Sequence, residues 1–183
     1  MRIVGGLYRH RIIVHPDDEQ HTRPTKDRVR EAIFSAVGDI SGYLALDLYA
    51  GSGAMGLEAI SRGVSFAAFV DVSSSAIKAI KNNITNLKIP KQQFEVVKDN
   101  DINALKIFKN KQLRFDIIFL DPPYDKGNYQ NIVDQLVENE LMSEHAIIVI
   151  EANHPITLEN FACQKVKAYR YGPVLVYIYW RKL

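Results

Sequence analysis

Leu46-Asp47-Leu48-Tyr49-Ala50-Gly51-Ser52-Gly53-Ala54-Met55-Gly56 is the stretch from which the fold can be read. An apolar run carries one aspartate, two glycines follow one residue apart, and an apolar helix-forming segment begins directly after them. This is a buried strand turning into a helix. Gly51 and Gly53 let the chain turn tightly and leave bare N–H groups that a ligand can approach, which a Cβ would prevent. The spacing Gly51-x-Gly53-x-x-Gly56 also satisfies the dinucleotide fingerprint, so on its own it chooses no ligand.

Working outward, strand and helix signals alternate. Residues 44–49, 66–70, 94–98, 115–120 and 146–151 read as strands, separated by helical segments at 53–62, 103–108 and 129–138. A further helix, capped by Ser73-Ser74, holds Ile77, Ile80, Ile84 and Leu87 at a helical period. Residues 165–171 and 174–180 flank Gly172-Pro173 as an antiparallel hairpin. Upstream, residues 2–14 alternate around two glycines, as a β-hairpin or a strand and an arm would, and 15–21 form a polar loop. Thr25 is the expected cap of a helix with Val29, Ile33 and Val37 on one face and Gly38 at its end. Strands alternating with helices predict an α/β fold, a mostly parallel seven-stranded sheet covered on both faces. The expectation is one domain over residues 1–183, with 1–21 as its N-terminal hairpin or arm and loop.

Composition excludes several classes. With 47% hydrophobic and 24% charged residues the chain is an ordinary globular one. A net charge of +2 is too mild to announce a nucleic-acid protein, so any basic footprint must be local. One cysteine rules out an internal disulfide and a thiolate metal cluster, and Cys163 reads as a small structural side chain. His10, His15 and His21 read as surface residues without metal-ligand spacing, so no metal is expected. The N-terminus has no apolar signal core, and no apolar run approaches the ~18 residues of a membrane span, so a cytoplasmic, unprocessed chain is expected.

Ligands on such sheets bind at the carboxyl ends of the strands, where strand order reverses. Asp47 lies just before the glycines, where it can receive an ammonium group or order water at a methionine moiety. Asp-x-x-x-Gly-x-Gly is the common methyltransferase form of this turn. Asp71 ends the second strand, placed to accept from both ribose hydroxyls or, more blandly, to favour the following helix N-terminus. In Asp99-Asn100-Asp101-Ile102 a polar side chain can reach an adenine amino group while Ile102 lies on the ring. After the fourth strand stands Asp121-Pro122-Pro123-Tyr124. Two prolines fix φ and remove two donors, leaving rigid outward carbonyls. A nucleobase amine must become more tetrahedral to attack a methyl sulfonium, and N–H acceptors favour that. Asp121 and the Pro122 carbonyl are those acceptors, and the Tyr124 ring is a platform for the base.

These motifs, with Met1-Arg2-Ile3-Val4-Gly5-Gly6-Leu7-Tyr8-Arg9 and the run Thr22-Arg23-Pro24-Thr25 through Phe34, resemble the RsmD-type small-subunit (16S) ribosomal RNA guanine-N2 methyltransferases over essentially the whole chain. The resemblance implies a Rossmann-like class I methyltransferase fold, S-adenosyl-L-methionine as cofactor, and transfer to a guanine N2. It implies cofactor contacts from Arg23, Thr25, Asp47, Tyr49, Ala50, Gly51, Ser52, Gly53, Asp71, Val72, Asn100, Asp101, Ile102 and Asp121. Asp121, Pro122, Pro123 and Tyr124 form the catalytic motif. Where family members often carry Gly-Asp after the third strand, this chain has Asp99-Asn100, which leaves the adenine contact open between Asn100 and Asp101. The N-terminal basic residues Arg2, Arg9, Arg11, Arg23, Lys26, Arg28 and Arg30 fit a local RNA-facing patch, with Arg9, Arg11 and Arg28 foremost. The implied partner is small-subunit ribosomal RNA, free or in an assembled or assembling subunit, with the protein a monomer and no membrane involved.

Competing readings remain. Glutamine-modifying enzymes begin the tetrapeptide with Asn, and DNA adenine enzymes usually carry an added target-recognition region. An RNA-binding assembly factor would predict a damaged pocket, whereas Asp47, Gly51, Gly53, Asp71 and Asp121 are intact. An oxidoreductase does not account for the tetrapeptide.

Overall fold

The computed structural model describes residues 1–16, 24–122 and 128–182, and their side chains except at 24–26. Helix α1 spans Pro24–Val37, followed by β1 (Leu44–Asp47), α2 (Ala54–Ser61), β2 (Phe66–Asp71) and α3 (Ser74–Leu87). A short 3-10 turn leads to β3 (Phe94–Lys98), α4 (Asp101–Asn110), β4 (Phe115–Leu120), α5 (Tyr129–Glu138) and β5 (Met142–Ala152). The hairpin of β6 (Cys163–Tyr171) and β7 (Val174–Arg181) completes the chain.

The strands form one seven-stranded sheet in the order β3-β2-β1-β4-β5-β7-β6. Strands β1 to β5 pair in parallel, whereas β7 joins β5 and β6 antiparallel. The chain leaves β1 toward β2 and β3, then returns to place β4 on the other side of β1. Strand order therefore reverses between β1 and β4, and sheets of this kind bind ligands in the crevice beyond the carboxyl ends of their strands at such a point.

Two apolar layers flank the sheet. Alternate residues of each strand point to opposite faces, which divides neighbours such as Ala45 and Leu46 between the two cores. Helices α1, α2 and α3 cover one face through Phe34, Leu57 and Ile80, and α4 and α5 cover the other through Phe108 and Leu136. Ser73 caps α3 as expected, its hydroxyl accepting from the Ala76 N–H at 3.3 Å. Other expectations shift by a few residues. Helix α1 begins at Pro24, ahead of the expected cap Thr25, because proline fits the first helical position, where its missing N–H is not needed. Helix α4 begins at Asp101 rather than 103 because Asn100 caps it, accepting from Asn103 N–H at 2.9 Å.

The N-terminal segment is a short antiparallel hairpin, its two halves joined by the Ile3 N–H to the Arg11 carbonyl and the Ile13 N–H to the Met1 carbonyl. A single antiparallel bridge joins Arg2 and Ile12, and Ile3 and Ile13 are fully buried in the helical layer that contains α1 to α3. Cys163 is also corrected. It is exposed at the start of β6, which pairs on one side only and leaves that end of the sheet uncovered. No helix among the described residues is long and apolar enough to cross a membrane.

Candidate active site

The glycine turn is built by two backbone conformations that other residues resist. Gly51 and Gly53 adopt φ of 52° and 79°, in the left-handed region. Gly53 is the N-cap of α2 and has no side chain to satisfy the orphan amides of its first turn. Asp47 does this from the end of β1, its carboxylate accepting from Gly56 N–H at 2.9 Å. At Gly56 the helix approaches β2 so closely that a Cβ would lie 2.3 Å from the Phe69 ring. The turn therefore has a fixed shape, and the space beside Gly51 is open, with no atom within 4 Å of a Cβ built there.

Three carboxylates meet over this turn. Asp71 ends β2 and ties the loops together: one oxygen accepts from Gly51 N–H at 2.9 Å and the other from Ser73 N–H at 2.8 Å. Asp121 follows β4 and is exposed. Asp47 is fully buried, and its carboxyl is pushed up to about 7. Desolvation is the main cause and the charges of Asp121 and Asp71 add to it, against the lowering effect of the Gly56 N–H. A cation delivered here would be attracted by all three acids, of which the buried Asp47 is raised toward neutrality.

The far side of the crevice is set by β3 and α4. Tyr49 donates its hydroxyl to Asp101 at 2.6 Å. Burial and that facing carboxylate push the phenol up, so it stays a donor at working pH. The other Asp101 oxygen accepts from Ile102 N–H. Val72 and Ile102, after β2 and β3, are large apolar side chains left 65% and 47% exposed, an arrangement suited to the two faces of a flat ring. Asn100 spends its side-chain oxygen on capping α4, which leaves its expected adenine contact to a remaining lone pair. Ala50 and Ser52 complete the turn: Ala50 donates to Val70 and Ser52 is buried.

Among the other expected site residues, Pro122 is buried next to Asp121. Arg23, Pro123 and Tyr124, and the side chain of Thr25, lie outside the described residues. The basic N-terminal group is divided. Arg9 and Arg28 share a cleft with Arg2 and His10, but Asp27 and Glu31 line it too. Arg11 lies elsewhere, bonded to the Asn86 carbonyl at 2.9 Å. Arg30 is not RNA-facing, because it is 3% exposed and pairs with Glu58 and Asp27.

Two supporting residues escaped the sequence reading. Glu58, fully buried on α2, accepts from Val4 and Gly5 N–H at 2.8 Å each and from the Arg30 and Arg62 guanidiniums. Asn83, 1% exposed on α3, accepts from Val14 N–H and donates to the carbonyls of Val14 and Ser52. It joins the N-terminal segment directly to the glycine turn. Each is a polar residue inside an apolar helix face, and that anomaly was the available signal.

The family described as Conserved hypothetical protein 95 matches residues 1–180. The Ribosomal RNA small subunit methyltransferase D of Haemophilus influenzae is 34% identical over 171 residues, covering 91% of this chain and 88% of that protein. The solved structure of yhhF from Escherichia coli, 29% identical, covers 100% of this chain and 98% of its own with a TM-score of 0.81. SMU.776, solved as a complex with SAH, shares the fold at 16% identity and a TM-score of 0.69 over 87% of this chain and 50% of its own. The chain belongs to the Conserved hypothetical protein 95 family, which it matches from the N-terminal segment to the last strand.

Proposed function

We propose that this protein transfers a methyl group from S-adenosyl-L-methionine to the exocyclic N2 of a guanine in small-subunit (16S) ribosomal RNA. The observation that carries the reading is the convergence of Asp47, Asp71 and Asp121 on a glycine turn at the point where strand order reverses. A nucleoside with a cationic tail fits that crevice: acids for the charged end, Asp71 for ribose, and Val72 and Ile102 beside the base. The relatives' activity on small-subunit ribosomal RNA supplies the substrate class.

S-adenosyl-L-methionine supplies an electrophilic methyl on a positive sulfur. The protein's part is alignment and the acceptance of N–H bonds. Asp121 and the Pro122 carbonyl accept from the guanine amine as it becomes tetrahedral, and the Tyr124 ring holds the base after it leaves its stack. The N–C bond forms as the C–S bond breaks with its electron pair on sulfur, and the surplus amine proton leaves to solvent. By the family resemblance, Arg23 and Thr25 would serve the methionine end of the cofactor. The enzyme acts as a cytoplasmic monomer on RNA within an assembled or assembling subunit.

Single-turnover methylation of small-subunit particles from a deletion strain tests this. Asp121→Ala should slow transfer by about 10²–10³ at saturating cofactor, the usual cost of one preorganised partner. Mass spectrometry should find N2-methylguanine as the product. A wild-type rate in Asp121→Ala, or a methyl group on anything but a guanine amine, overturns the reading.

A further inference from the structure

One acid-free basic run of this chain lies in its C-terminal hairpin, outside the residues that form the glycine turn. Residues 160–183 contain Lys165, Lys167, Arg170, Arg181 and Lys182 and no acidic residue. Five of the 23 Lys and Arg residues thus lie here, and the other 18 face all 21 Asp and Glu residues, leaving the rest of the chain at −3. The N-terminal group is the weaker candidate for a phosphate surface, since Arg30 is buried and Asp27 and Glu31 line the cleft of Arg9 and Arg28.

The hairpin orders part of this charge into a row. Lys165, Lys167, Tyr169 and Tyr171 alternate along β6 and so share one face. Lys165 stands opposite Trp180 of β7. Both ammonium groups lie over the Trp180 ring, 4.9 Å and 5.9 Å from its centroid, and neither has an acidic partner among the described residues. Tyr169 and Tyr171 stack at 6.3 Å with planes 24° apart, and both are half-buried. Two cations over an indole, continued by two parallel rings, suit phosphates and unstacked bases in succession.

The row also points at the chemistry. Leu120 of β4 is in register with Ile150, Ile150 with Tyr177, and Tyr177 with Ala168. Tyr169 therefore lies in the row that Asp121 continues, three strands away, about 14 Å at the usual strand spacing. Tyr171 extends beyond it at the crevice end of the sheet.

We infer that the β6 face formed by Lys165, Lys167, Tyr169 and Tyr171 binds single-stranded RNA flanking the target nucleotide. This rests on the ribosomal RNA reading above. Negative phosphates match the acid-free strip, whereas a protein partner would have to supply an acidic surface to it.

The test is filter binding of a small-subunit ribosomal RNA transcript across a salt series. Lys165→Met with Lys167→Met keeps the stems over Trp180 and removes the charges. It should weaken binding about tenfold near physiological salt and reduce the salt slope by about 1.4, the single-strand value for two contacts. Lys→Arg at both sites should restore the slope. Tyr169→Ala with Tyr171→Ala should weaken binding at least roughly fivefold with the slope unchanged. S-adenosylhomocysteine affinity, by calorimetry, should match wild type in every variant and so reports an intact fold. Unchanged RNA affinity and slope in the methionine and alanine variants refute the strip while leaving the methyltransferase reading standing. A wild-type protein that binds no RNA sinks both. Loss seen only with assembled particles would assign the strip to a ribosomal protein and overturn the RNA assignment.

Discussion

Asp47→Asn isolates the buried acid of the crevice. Burial and the neighbouring Asp71 and Asp121 raise its carboxyl from an ordinary 3.8 to about 7. Between those values the folded state holds a proton that the unfolded chain has released, so stability declines as pH rises through the window. The gap corresponds to roughly 4 kcal/mol at pH 8. Asparagine keeps the shape and the acceptor for Gly56 N–H but cannot ionise. About half of that difference should survive, since the new amide hydrogens need acceptors. At ~2–4 °C per kcal/mol for a chain of this size, Tm should rise by about 4–8 °C at pH 8 and hardly change at pH 4.5. Cofactor affinity should respond in the opposite sense. A cationic ligand draws Asp47 into its ionised form, so binding near pH 6.5 should release a proton, read by calorimetry in buffers of different ionisation enthalpy. Asp47→Asn should abolish that release and weaken binding. A Tm difference of equal size at pH 4.5 and pH 8 would refute the electrostatic account.

Asp71→Ala should weaken S-adenosylhomocysteine binding and also lower Tm, because it strips acceptors from Gly51 and Ser73 N–H as well as from ribose; calorimetry and thermal unfolding with both values unchanged would contradict this. Gly56→Ala should lower Tm by about 4–8 °C, as roughly 3 kcal/mol of overpacking against the buried Phe69 ring exceeds the ~1 kcal/mol gained in helix propensity. A Tm at or above wild type would show that α2 can move away from β2.

The parallel sheet was legible because its strands are apolar on both faces and separated by turn residues, as at 44–47 and 115–120. The crevice was legible because glycines and acids stand at the ends of those strands. The docking of the N-terminal segment was not, because the groups that hold it lie far from it in sequence. Ile3 and Ile13 are buried beside helices, and the connection depends on Glu58 and Asn83, which are 54 and 69 residues from the backbone groups they bind. No local window contains such a pairing. Arg30 was misread for the same reason: nothing near it in sequence foretells a fully buried Glu58. Its charge is buried where two carboxylates and a backbone carbonyl can hold it, as a desolvated cation requires.

The crevice residues carry structural bonds, and under the proposed function these are compatible with ligand binding. Asp47 caps α2, Asp71 holds Gly51 and Ser73, Asn100 caps α4, and Asp101 takes the Tyr49 hydroxyl. Each therefore has a structural bond already. A carboxylate offers about four lone-pair sites, and one or two backbone bonds fix its rotamer while leaving acceptors for a ligand. If these residues bind the cofactor as proposed, the structural bond is the means by which the ligand-facing oxygen is aimed. Alanine at these positions removes both roles at once and reports their sum. Isosteric changes separate them: Asp47→Asn retains an acceptor for the helix and abolishes the charge, so its stability and its cofactor affinity should move in opposite directions. A residue with a purely structural role would not show that divergence.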